Sequence, residues 1–149
     1  MNDNCKLSYV PSGKTFAAQP HALNMLPNRG ETRISIIFYL CAMQAHNTTI
    51  INQAHTALKS IYGSRLNKVI LFGSYARGEQ TPESDIDLLV VLNDKNLETG
   101  KEISAITDSL FNIGFQNNIS ISAHPVSEVR FSTEPNYFFN RVKKEGKVL

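Results

Sequence analysis

The sequence contains no tryptophan and only two cysteines, Cys5 and Cys41, among its 149 residues. Neither cysteine stands in a CxxC pair or near a histidine cluster at zinc spacing, so neither a disulfide framework nor a structural zinc site organises the chain. Long hydrophobic runs are missing too. The longest, Ile34 to Met43, falls well short of the roughly twenty residues that a membrane-spanning helix needs. It resembles the apolar core of a signal peptide but starts too far along and lacks a following small-residue cleavage site, which points to a cytoplasmic protein with no membrane partner. An excess of one charge is also lacking, with 15 Lys+Arg against 13 Asp+Glu. The small basic surplus sits in residues 1–42 (Lys6, Lys14, Arg29, Arg33), and the remainder is balanced. A neutral body argues against direct nucleic-acid binding, which draws its free energy from Lys/Arg at phosphates, so any phosphate chemistry must be local. What is present is 42% hydrophobic and 19% charged residues, a composition for one globular domain.

Residues 1–33 show no period of 2 or 3.6 and predict mostly disorder. From Asn47, a candidate N-cap, Ile50, Ile51, Ala54, Leu58, Ile61 and Tyr62 recur at helical spacing until Gly63 ends the run. Met43 stands just before this change of texture, which raises the expectation that residues 1–42 are a disordered or non-native extension and that residues 43–149 form the domain. Lys68 to Phe72 and Ile86 to Leu92 read as buried strands. Ile103, Ile106, Leu110 and Ile113 predict a second helix between Asn96 and Phe115, with Gly114 as its stop. Asn118 to Val126 alternates like a half-buried strand, and Pro125 marks its end or a sheet edge. A terminal helix is expected with Pro135 at its first position, Lys143 and Lys144 in its last turn and Gly146 after it.

The chemistry is concentrated in Gly73-Ser74, Arg77-Gly78 and Ser84-Asp85-Ile86-Asp87. A strand ending in Gly-Ser before a helix start lets the backbone approach a ligand, with free N–H groups and the Ser74 hydroxyl available to phosphate oxygens. Asp85 and Asp87, two positions apart at a strand mouth, point to one side. Their mutual repulsion is relieved by a cation, and Mg²⁺ takes one or two carboxylates plus substrate phosphates. The residues therefore point to metal-assisted phosphoryl or nucleotidyl transfer. Arg77 suits either a phosphate or a pairing with Glu79 or Glu83. Tyr75 suits either base stacking or burial in the turn. No GxGxxG follows a strand, so a Rossmann-type dinucleotide site is excluded.

These motifs resemble the signature of the DNA polymerase beta-like nucleotidyltransferase superfamily, and in particular the small stand-alone minimal nucleotidyltransferase (MNT) proteins. The resemblance runs from about Thr48 to Leu149, including the basic terminal helix and its closing Glu145-Gly146. It implies an α/β (α+β) fold with a small mixed sheet flanked by helices. It also implies that Gly73, Ser74 and Arg77 bind the nucleotide, that Asp85 and Asp87 are catalytic and hold Mg²⁺, and that ATP is the donor. A HEPN-type toxin would be the protein partner, with the MNT member acting as antitoxin by transferring AMP to it.

One departure stands out. The superfamily supplies a third carboxylate from a later strand, whereas Asn118 to His124 holds no Asp or Glu. His124 offers a substitute base or ligand, although a strand histidine next to a proline, here Pro125, is more often structural. Two alternatives to the active protein-modifying enzyme follow: a binding module of the same fold that neutralises its partner by occlusion, and an antibiotic-type small-molecule adenylyltransferase. The latter would need a homo-oligomer to complete an acceptor cleft.

Overall fold

Branched and aliphatic residues that fill a pleated surface well dominate two segments of this chain, and in the computed structural model, which describes residues 33–149, they pair at the centre of a mixed sheet. The order of elements is α1 (Arg33–Tyr62), a 3-10 turn (Gly63–Arg65), β1 (Leu66–Phe72), α2 (Gly73–Arg77), β2 (Ile86–Leu92), α3 (Thr99–Asn117), β3 (Ile121–Ser127), α4 (Glu128–Thr133), α5 (Tyr137–Glu145) and β4 (Lys147–Val148). The strands lie in the order β3-β2-β1-β4. β1 is antiparallel to β2 and β4, and β2 is parallel to β3. The α3 helix makes the long crossover that a parallel pair requires.

The chain divides into two units, Met1–Thr48 and Thr49–Leu149, and the second carries the sheet. Period-2 alternation sends successive residues of each strand to opposite faces. On one face Val69, Leu71, Leu88 and Val90 pack with Ile50, Ala54 and Leu58 of α1 and with Ile106 and Leu110 of α3. On the other, Ile70, Leu89 and Val91 pack with Phe131 of α4 and with Phe139 and Val142 of α5. Covered on both sides, β2 reads as a continuous apolar run, and each fully buried Leu or Val contributes about 1.5–3 kcal/mol.

Several boundaries differ from expectation. The first helix does not start at Asn47 but runs from Arg33, because an asparagine inside a helix costs only about 0.7 kcal/mol and does not compel a start. Gly63, at φ +51°, closes it as expected. Residues 1–32, where most of the predicted extension falls, lie outside the described residues. Gly114 does not stop α3. A Cβ there would lie 2.5 Å from the Ile119 carbonyl oxygen, so its glycine serves close packing, and Asn118 at φ 52° is the left-handed cap, four positions after the expected stop. The terminal helix starts after Asn136, whose side-chain oxygen accepts from the Phe138 N–H (2.8 Å), rather than at Pro135, which can offer no such cap. Pro125 does lie on an edge strand, although β3 begins at Ile121 rather than Asn118. Among the described residues no helix is long and apolar enough to cross a membrane.

The same packing carries a pH dependence. Tyr62 is buried beneath α3 and donates to the Glu102 carbonyl oxygen (3.2 Å). Burial first, then the Glu102 carboxylate, pushes its phenol up to about 12 from the ordinary 10.0. The unfolded chain therefore loses this proton first, so the stabilisation is complete below pH about 10 and is lost as pH rises towards the folded value. Tyr75, raised by burial and then by Asp85, acts in the same direction. Denaturant midpoints measured between about pH 9 and about pH 11.5 should fall less steeply for Tyr62→Phe than for the wild type.

Candidate active site

The site begins where β1 ends. Gly73 adopts φ +71°, a conformation that side chains other than glycine's resist, and this turns the chain from β1 into α2. The antiparallel register sets Phe72 opposite Asp87, and a Cβ on Gly73 would collide with the Asp87 carboxylate. On the other side of β2 the parallel register places Ser122 opposite Asp87, and the Ser122 hydroxyl donates to Asp87 Oδ1 at 2.6 Å. Asp87 is thus half-buried between two strands, with the Gly73 backbone against it.

A cavity of about 400 Å³ opens here. Gly73, Ser74, Arg77 and Asp87 line it, so the fold brings together four of the residues singled out from the sequence. Asp85 lies just before β2, is exposed and does not line the cavity. The opposite wall comes from α5, with Phe138, Arg141, Val142 and Glu145.

Arg77 is engaged by carboxylates: its Nε donates to Glu79 Oε2 at 2.7 Å and its Nη1 to Glu145 Oε2 at 3.5 Å. The Glu79 hydrogen bond is the largest cause holding this guanidinium above its usual range. Of the two acids proposed from the sequence, Glu79 is the partner. Tyr75 is buried in the turn, as the blander alternative had it. His124 is exposed on β3 and sits against the rings of Phe72 (6.1 Å) and Phe138 (6.3 Å) without lining the cavity, so it packs with aromatics instead of replacing a carboxylate there. Lys143 lies over the Phe131 ring (5.0 Å) and reaches the Ser132 carbonyl oxygen.

Ser122, Phe138, Arg141 and Glu145 escaped sequence reasoning. A signal was present for the last three: positions 138, 141 and 145 are spaced by three and four and therefore share one face of a helix. Ser122 carried none, because its importance arises from strand register alone.

The described residues hold no cluster of three or more His, Cys, Asp or Glu that fits a metal ion. Neither Asp85 nor Asp87 forms an ion pair among the described residues, although most other acidic side chains there do. A half-buried carboxylate without a counter-charge is costly, and the missing Cβ of Gly73 is what lets the Asp87 carboxylate sit against the turn. One carboxylate of this kind suits Mg²⁺ that keeps substrate phosphates and waters as its other ligands, and the exposed Asp85 stands two residues before it.

Residues 51–143 match the family described as the nucleotidyltransferase domain. A Methanocaldococcus jannaschii protein named "putative protein adenylyltransferase" is 42% identical over 100 residues, covering 66% of this chain and 93% of that protein. A second protein of the same description and organism is 37% identical over 73 residues, or 49% of this chain and 72% of its own. A solved structure described as a toxin-antitoxin with AMP-PNP is 20% identical with a TM-score of 0.47, covering 64% of this chain and 68% of its own. A likeness that distant carries no argument about activity or partner. The family match covers well over half of the chain, including the Gly73 turn, the strands that frame Asp87 and the α5 residues Phe138, Arg141 and Val142, and on that ground this chain belongs to the nucleotidyltransferase domain family.

Proposed function

We propose that the protein transfers AMP from ATP, with Mg²⁺, to a hydroxyl of a protein acceptor, and that the acceptor is a HEPN-type toxin for which this MNT-like chain is the antitoxin. The observation that carries the reading is the Gly73 backbone pressed against Asp87, which puts a phosphate-accessible turn and an uncompensated carboxylate on one cavity. The names of the Methanocaldococcus jannaschii relatives support AMP as the transferred group and a protein as acceptor. The HEPN partner rests on the motif resemblance.

In this reading Gly73 and Ser74 hold phosphate oxygens, and Asp85 and Asp87 hold the metal. When bound, Mg²⁺ would neutralise phosphate charge and steady the departing pyrophosphate. The acceptor oxygen forms a bond to the α-phosphorus, the bond from that phosphorus to the β-phosphate bridge breaks, and the hydroxyl proton passes to solvent. Ser122 keeps the Asp87 carboxylate oriented through its 2.6 Å hydrogen bond.

The test is the intact mass of a co-purified partner protein after incubation with Mg²⁺ and ATP. A gain in whole AMP units, absent with Asp85→Asn/Asp87→Asn, is expected. No gain in a stable complex would instead support neutralisation by occlusion. That second reading draws on Ser122, a hydroxyl standing opposite Asp87 on the strand where the superfamily places a third carboxylate.

A further inference from the structure

We propose that Arg141, yoked to Arg77 by Glu145, forms a subsite for the pyrophosphate end of the donor nucleotide. The identity of the anion rests on the nucleotidyl-transfer reading. The arrangement itself rests on the geometry of the α5 wall.

Arg77 Nη1 and Arg141 Nε both donate to one oxygen, Glu145 Oε2, at 3.5 Å and 3.3 Å. All three side chains line the cavity that also holds Gly73, Ser74 and Asp87. One carboxylate oxygen shared by two guanidiniums fixes their spacing, and Glu79 takes a second N–H of Arg77, which eases the repulsion between the two cations. A guanidinium has five N–H donors in a planar fork. Arg77 commits its Nε and Nη1, while Arg141 commits only its Nε, so among the described residues both Nη groups of Arg141 and the Nη2 of Arg77 have no hydrogen-bond partner. Two forks with donors to spare, facing one cavity, match the bidentate geometry by which arginine binds phosphate oxygens.

A purely structural tether explains the cluster poorly. The Arg141 side chain is 51% exposed, and ion pairs that wet contribute little to stability. Meanwhile α5 is already anchored through Phe139 and Val142, both buried in the core. Phosphate binding also explains why the two arginines reach the cavity from different elements, α2 and α5, and meet at one carboxylate.

The experiment compares dissociation constants of Mg²⁺-ATP, inorganic tripolyphosphate and AMP by calorimetry for the wild type, Arg141→Ala, Arg141→Lys and Glu145→Gln. Lys101→Ala, which removes an equal charge far along the sequence on α3, is the control for general electrostatics. Arg141→Ala should weaken Mg²⁺-ATP and tripolyphosphate by about tenfold or more and AMP by less than about threefold. Arg141→Lys should recover only part of the loss, since a point charge replaces a fork. Glu145→Gln should give a smaller loss of the same selectivity, and Lys101→Ala none. Equal weakening of ATP and AMP, an effect matched by Lys101→Ala, or no tripolyphosphate binding by the wild type overturns the subsite. If transfer proceeds while Arg141→Ala binds tripolyphosphate like the wild type, the subsite fails and the transfer reading stands. If the Arg141-dependent binding is seen but no nucleotide is ever transferred, the subsite stands and the transfer reading fails.

Discussion

Asp87→Asn is expected to lower nucleotidyl transfer by about 10²–10³-fold or more while leaving the thermal midpoint unchanged or slightly raised. Asparagine has nearly the shape of aspartate, and its amide oxygen can still accept the Ser122 hydroxyl, so the junction of β1, β2 and β3 keeps its hydrogen bond. What disappears is a negative charge. In the protein alone that charge is half-buried and has no ion-pair partner among the described residues, so its loss relieves a desolvation cost that offsets the weaker hydrogen bond from Ser122. A stability gain together with an activity loss is the mark of a group retained for catalysis. Initial rates with Mg²⁺ and ATP, alongside thermal unfolding of the same preparation, check both halves. Retained transfer at wild-type rate would remove Asp87 from the chemistry.

Gly73→Ala should lose both stability and transfer, by a mechanism that can be separated into parts. At φ +71° any L residue other than glycine is strained, at a cost of about 1–2 kcal/mol. The added Cβ also meets the Asp87 carboxylate, which must move out of the cavity wall or push the turn away from it. Gly63 provides the comparison: at φ +51° it is strained in the same way, but a Cβ there meets nothing within 4 Å. Gly63→Ala is therefore expected to lose stability alone, by about 1–2 kcal/mol, with transfer intact. Gly73→Ala should lose at least as much stability and, in addition, most of its nucleotide affinity. Denaturant unfolding of the two variants and their dissociation constants for Mg²⁺-ATP give the contrast. Equal affinity in both would mean that the close approach at Gly73 is packing without function.

Much of the fold was legible because its signals are local. Ile86 to Leu92 is a strand with the bounds expected from an apolar run, since a strand covered on both faces needs no polar alternation. Gly63 ends α1 because only backbone freedom was required there. Where two causes share one residue type, the sequence misled. Gly114 looked like a helix stop, but it was selected by the nearness of the Ile119 carbonyl, a contact made across a turn. Asn47 looked like a start because a cap preference is too weak to override continuing helix. The six residues of α4 and the two of β4 are too few for a helical or strand period to recur and reveal them.

The candidate site divides along the same line. The chemistry on offer is written in local residue order: a Gly-Ser turn after a strand, two aspartates at the mouth of the next, and an arginine between them, all within one short stretch whose local conformation its own residues dictate. Which of these share a cavity is set by the packed fold. It set Asp87 against Gly73 through antiparallel register, placed Ser122 rather than a carboxylate opposite it through parallel register, and left Asp85 outside the cavity. It also brought Arg141 and Glu145 from the far end of the chain to Arg77. Those pairings depend on strand register and on which face of α5 is buried, and both are set by packing of the whole sheet, not by any neighbouring residue.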